Sequence, residues 1–193
     1  MILLVSDKPL IEQHLLDLDE NSRRLRFGYQ ASNESIIKYL DRAFDTHSTW
    51  FGYIDHGVCI GAAHVHVDEN AVAEIGISIS TSHRGNGLCS TLFDRVILYL
   101  QSKKVKTVMM QCLSENKVMQ YLAKKYGMNV VTISPGEKQA DVAIDNKVNA
   151  ASAMLLDASQ DAISLVDSSI RNQLWLAEVL NSLFLSYIPK GLK

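Results

Sequence analysis

The feature that most restricts the fold is a change of hydrophobic period near residue 87. Between Trp50 and Ser80 three strand-like segments follow one another with only short polar turns between them. Residues 50–54 form the first. Asp55-His56-Gly57 turns the chain, residues 58–67 form the second, Asp68-Glu69-Asn70 turns it again, and residues 71–80 form the third. Connections this short join antiparallel neighbours, because a parallel return needs a crossover. From Gly87 the period lengthens to that of a helix, with Leu88, Leu92, Val96 and Leu100 recurring along residues 87–102. A Val- and Met-rich strand at 106–113 comes next, then a helix at 116–126 with Met119, Leu122 and Tyr126 in register. Strands at 129–133 and 141–144, joined through Ser134-Pro135-Gly136-Glu137, complete the pattern. Ahead of the meander two helices are expected, over residues 9–20 and after the N-cap candidate Ser32. The basic stretch between them, 21–28, shows no clear period. The fold class is α+β: one mixed, mostly antiparallel central sheet flanked by helices.

Composition shifts after Asn149. Ile163, Val166, Ile170, Leu174, Ala177 and Phe184 make a helical stripe too apolar to stand alone in water. The chain therefore divides into a domain over 1–146 and a C-terminal helical extension over 147–193, which either packs on the domain or forms a homodimer contact. The formal net charge of −2 gives no support to a nucleic-acid partner, which needs a basic surface. No apolar run approaches a membrane span, so no membrane partner is expected. The opening Met1-Ile2-Leu3-Leu4-Val5 is too short for a secretory leader. Cys59, Cys89 and Cys112 are far apart and offer neither a disulfide framework nor a zinc motif, which fits a reducing cytoplasm.

The chemistry concentrates in Arg84, Gly85, Asn86, Gly87, Leu88 and Cys89, between a half-buried strand and an amphipathic helix. Glycines let the backbone turn sharply there, and the helix start offers unpaired N–H groups and the positive end of the macrodipole. Together these suit a diphosphate. A Walker A loop needs Gly-Lys-Ser/Thr, but Gly87 is followed by Leu88-Cys89. A dinucleotide fingerprint needs a third glycine where Ser90 stands.

The loop resembles the Arg/Gln-x-x-Gly-x-Gly/Ala pyrophosphate loop of the Gcn5-related N-acetyltransferase (GNAT) family, with Cys89 in place of the last small residue. Leu113-Ser114-Glu115-Asn116, followed by Met119, Leu122 and Tyr126-Gly127-Met128, is similar to a second segment of that family. Ala73-Glu74-Ile75 and Arg26-Phe27 more loosely resemble bacterial members related to protein-lysine acetyltransferases.

The resemblance implies that acetyl-CoA lies where two neighbouring strands part. Ile77, Ser78 and Ile79 would meet the pantetheine and acetyl group, residues 84–89 the pyrophosphate, and Asn116 the pantetheine from the other side. It implies direct transfer to an amine acceptor, either a protein lysine or a small molecule, with no metal. An alkylamine is mostly protonated at neutral pH, its pKa being about 10.4, so a base is useful. Glu74 is the candidate for that role. His64 and His66 either assist it or are hydrogen-bonded sheet histidines. The family's usual acid tyrosine is replaced by Ala123, with Tyr126 a turn further on and Tyr121 roughly opposite. Arg23, Arg24 and Arg26 either attract an acidic acceptor or are simply solvated. The rival reading is an acyl-CoA-binding module that signals through its C-terminal helices.

Overall fold

The computed structural model describes residues 1–103 and 105–144. The C-terminal extension expected over 147–193, its helices and any dimer contact through them lie outside the described residues. In chain order the elements are β1 (Ile2–Leu3), α1 (Lys8–Leu16), α2 (Glu20–Phe27), α3 (Asn33–Arg42), β2 (Ser48–Asp55), β3 (Val58–Val67), β4 (Val72–Ile79), α4 (Leu88–Ser102), β5 (Thr107–Leu113), α5 (Lys117–Lys125), β6 (Asn129–Ser134) and β7 (Glu137–Ala143).

The strands form one sheet in the order β1-β2-β3-β4-β5-β7-β6. Every neighbouring pair is antiparallel except β4 and β5, which are parallel. That exception follows from α4, the crossover that brings the chain back in the same direction. The mixed, mostly antiparallel sheet flanked by helices is thus the fold the pattern predicts.

Helices cover both faces. On one, α4 and α5 bury Leu92, Phe93, Val96, Leu100, Met119 and Leu122 against Ala73, Ile75, Ile77 and Ile79 of β4. On the other, α1 and α3 bury Ile11, Leu15, Ile36 and Leu40 against Trp50 and Ala62. Each fully buried Leu or Ile contributes about 1.5–3 kcal/mol by leaving water. Period-two alternation therefore aims the odd residues of β4 at α4, and Glu74, Gly76 and Ser78 at the opposite face.

Three local features depart from expectation. α1 stops at Leu16, and α2 occupies the stretch without a visible period. Asp19 caps α2 by accepting from the Ser22 N–H at 2.8 Å, and Gly28 ends it in the left-handed region. Leu25 and Phe27 are the only large apolar residues in α2, which is why no stripe showed. The last strand is also longer than expected, because the β6–β7 hairpin closes at Gly136 and pairing starts at Glu137. Ser32 does cap α3, accepting from the Ser35 N–H at 3.2 Å.

Candidate functional site

The parallel pair is short. Val72, Ala73 and Glu74 face Thr107, Val108 and Met109, and no further pair of this ladder forms. Past that point β4 stays bound to β3 as far as Ile79, and β5 stays bound to β7 as far as Leu113. Each strand follows its outer neighbour, so the two diverge. The Ala71 carbonyl accepts from Lys106 on the β5 side, while the Ser80 N–H donates to Ile60 on the β3 side. By alternation the N–H and C=O of Ile77 face the gap.

A cavity of about 310 Å³ fills this gap. Ile77, Ser78 and Ile79 form one wall, and Asn116 with Tyr121 the other. Its far end is closed by Arg84, Gly85, Gly87, Leu88 and Cys89. Gly85 and Gly87 take φ of 82° and 76°, where a Cβ costs roughly 1–2 kcal/mol. Gly87 is the N-cap of α4 and supplies no side-chain cap, leaving the first-turn N–H groups without intrahelical acceptors. The glycine turn expected to hold an anion thus lies at the start of α4 and lines the cavity. Asn86 belongs to the loop but does not line the cavity.

The model of the acetyltransferase (GNAT) family matches residues 14–128. The chain belongs to the GNAT family. No curated protein matches it in sequence. The GNAT domain of S. lividans PAT is similar in fold, with a TM-score of 0.64 at 14% identity, over 75% of this chain and 89% of that one. Spermidine N-acetyltransferase from Vibrio cholerae, solved with CoA and spermine, gives 0.61 at 18% identity, over 77% and 96%. The ribosomal-protein-S18-alanine N-acetyltransferase from Escherichia coli gives 0.57 at 17%, over 75% and 90%. At such identities the likeness is one of fold.

Within this GNAT fold several side chains behave differently from expectation. Arg84 does not stand free at the rim. Its Nε donates to the Ile79 carbonyl at 3.1 Å and its Nη2 to Ser22 Oγ at 2.7 Å. Ser22 and Thr81 both donate to Asp19 Oδ2 at 2.7 Å. Those hydrogen bonds, with Arg84 nearby, hold the Asp19 carboxyl down at about 2. Arg84 thus fastens the start of α2 to the end of β4. Asn116 caps α5 through the Met119 N–H and donates to the Leu25 carbonyl at 3.3 Å. The Cys89 thiol is pushed up to about 11 by burial, so it is no thiolate.

Glu74 stands at the last paired position before the strands part, opposite His66 and Met109. It is exposed, lies outside the cavity lining, and forms no hydrogen bond or ion pair among the described residues. Ala123 is core, and the Tyr126 hydroxyl turns away to Asp94 on α4. Burial, followed by that acidic partner, raises the Tyr126 hydroxyl well above its usual range. Tyr121, by contrast, reaches the cleft beside Val118, because both lie on the face of α5 opposite its buried side. His83 lines the cleft, with its Nδ1 2.9 Å from Ser82 Oγ. His64 and His66 resolve into a sheet network with Ser48 and Tyr39. Among the described residues no cluster of three His, Cys, Asp or Glu converges as a metal site. None of their helices is long and apolar enough to cross a membrane.

Ser22 and Leu25 line the cavity without having been expected there, since no helix was expected for them, and of the three candidate arginines Arg26 lines it. The available signal was Asp19 three residues before Ser22, with Gly28 closing the turn. His14 was also missed. It is buried, with Nε2 at 2.9 Å from Ser78 Oγ and Nδ1 at 3.2 Å from Ser80 Oγ. Burial, aided by the charge of Arg26, pushes its imidazole down to about 4. The fold therefore holds His14 neutral, while the unfolded chain protonates it below about pH 6.5. Stability is unaffected above that pH and falls as pH drops from about 6.5 to about 4, by about 3 kcal/mol in all. Denaturant midpoints measured across this window should decline in the native protein and decline less steeply in His14→Asn, where His64, pushed down to about 3 by burial, still contributes. A flat native profile would contradict the assignment.

Proposed function

We propose that this protein transfers the acetyl group of acetyl-CoA directly to an amine, a protein lysine or a small molecule. One observation carries the reading: a single cavity joins the open edge of β4 to the two-glycine turn at the start of α4. The fit follows from the donors present. The Gly85–Gly87 turn and the first-turn amides of α4 would hold the pyrophosphate. The backbone groups of Ile77 would pair with the pantetheine as a missing strand would, with Asn116 opposite. Acetyl-CoA supplies an activated thioester. An N–H of the parted strand would donate to the acyl oxygen as negative charge builds there. Glu74 would take the amine proton, directly or through water, as the C–N bond forms; the C–S bond then breaks and CoA would leave as its thiolate, to be protonated by water.

Ala123 in the core and Tyr126 tied to Asp94 favour a second reading, a non-catalytic acyl-CoA-binding module. A thermal-shift series with acetyl-CoA, ATP and NAD, run beside thiol release on a broad amine library, separates the two. Stabilisation by acetyl-CoA at 100-fold over its Kd adds about 2.7 kcal/mol. Stabilisation with thiol release supports transfer. Stabilisation without thiol release supports the module, and a response to ATP or NAD alone refutes both.

A further inference from the structure

The three arginines of α2 have different fates. Arg23 is consumed by structure: its guanidinium donates to the carbonyls of Leu16, Leu18 and Ala31 and to Asn33. Arg24 pairs with Glu115. Arg26 has no carboxylate partner among the described residues. Its Nη2 donates to Tyr39 Oη at 2.8 Å, and its Cζ lies 5.0 Å and 5.5 Å from the ring centres of Phe27 and Tyr39.

Arg26 is also the arginine that lies along β4. A Cβ on Gly76 would fall 2.5 Å from its Cζ, so the guanidinium rests on bare strand backbone and lines the cofactor cleft. Tyr39 Oη accepts from Arg26, which has only donors, and lies 2.8 Å from His64 Nδ1. The remaining guanidinium N–H groups are left for the cleft. Beyond Tyr39 a second cavity of about 530 Å³ is lined by Lys38 and Arg42, with Asp45 its only carboxylate. A half-buried guanidinium flanked by aromatic rings and lacking an anion is suited to receive one from a ligand.

Glu74 and Gly76 share a face of β4 two residues apart, so the Glu74 carboxylate and the Arg26 guanidinium lie over the same face near the point where the strands part, without forming an ion pair with each other. We propose that Arg26 anchors the acceptor, and that the acceptor is an amine carrying a carboxylate, of the α-amino-acid type. Its ammonium would face Glu74 and its carboxylate Arg26. The same cation repels an acceptor that is purely cationic, such as a polyamine. This inference rests on the acetyl-transfer reading.

The full chain, saturated with CoA, should be titrated calorimetrically with L-α-amino acids and with their carboxamides, and CoA affinity measured in parallel. At least one acid should bind about tenfold or more tightly than its amide. Arg26→Gln should bring that ratio to about one, and Arg26→Lys should restore part of it. Gly76→Ala, whose methyl displaces the guanidinium, should reproduce the loss with Arg26 still present. Equal binding of acid and amide, a preference that survives Arg26→Gln, or tighter binding of spermidine or a lysine peptide would overturn the proposal. Failure of the transfer reading shows differently: Arg26-dependent binding of the acid with no thiol released from acetyl-CoA.

Discussion

The Glu74→Gln protein is expected to turn over roughly 100- to 10,000-fold more slowly than the native one, with acetyl-CoA affinity unchanged. The exchange keeps the size and polarity of the side chain and removes its ability to take a proton. Glu74 lies at the end of the paired part of β4, on the face away from the α4 core, and makes no competing hydrogen bond or ion pair among the described residues. A carboxylate in that position is free to accept from an incoming ammonium. The defect should be greatest on the acidic side of neutrality and shrink as the pH approaches the pKa of the amine, where solvent has already removed the proton. A kcat/KM profile against pH for both proteins tests this, and unchanged turnover across the range removes Glu74 from the mechanism.

Phe93→Ala should cost about 3–5 kcal/mol of stability, the usual loss for a large buried ring. Phe93 has no exposed surface and fills the layer between α4 and the sheet, with its ring 4.7 Å from that of Tyr126. The void would open on the helix whose first turn forms the glycine loop, so its effect is not confined to the core. For a chain of this size the melting temperature should drop on the order of 10 °C. Denaturant unfolding with an unchanged slope would assign the loss to the folded state. A cost below about 1 kcal/mol would mean that the layer closes around the gap.

Much of this fold is legible along the chain because the signals are short-range. The meander shows in the two-residue period, α4 in the Leu88, Leu92, Val96 and Leu100 stripe, and α3 in the Ser32 cap. The turn ahead of α4 shows in Gly85 and Gly87, whose left-handed backbone depends only on the absence of a Cβ. α2 did not show, because its helix rests on a cap and on contacts to β4 and β5 rather than on an apolar stripe.

What lies in the sequence by itself is therefore most of the elements, the family and the two-glycine turn. Tertiary structure alone decided that β4 and β5 part after Glu74 and Met109, since that depends on which outer neighbour holds each strand. It also decided that Arg84 turns inward, that Tyr121 and not Tyr126 reaches the cleft, and that of the three arginines of α2 it is Arg26 that rests against Gly76 of β4. Each of those outcomes depends on a partner dozens of residues away or on the far side of a helix. No local period encodes such a partner; only the packed sheet brings the groups within hydrogen-bonding distance.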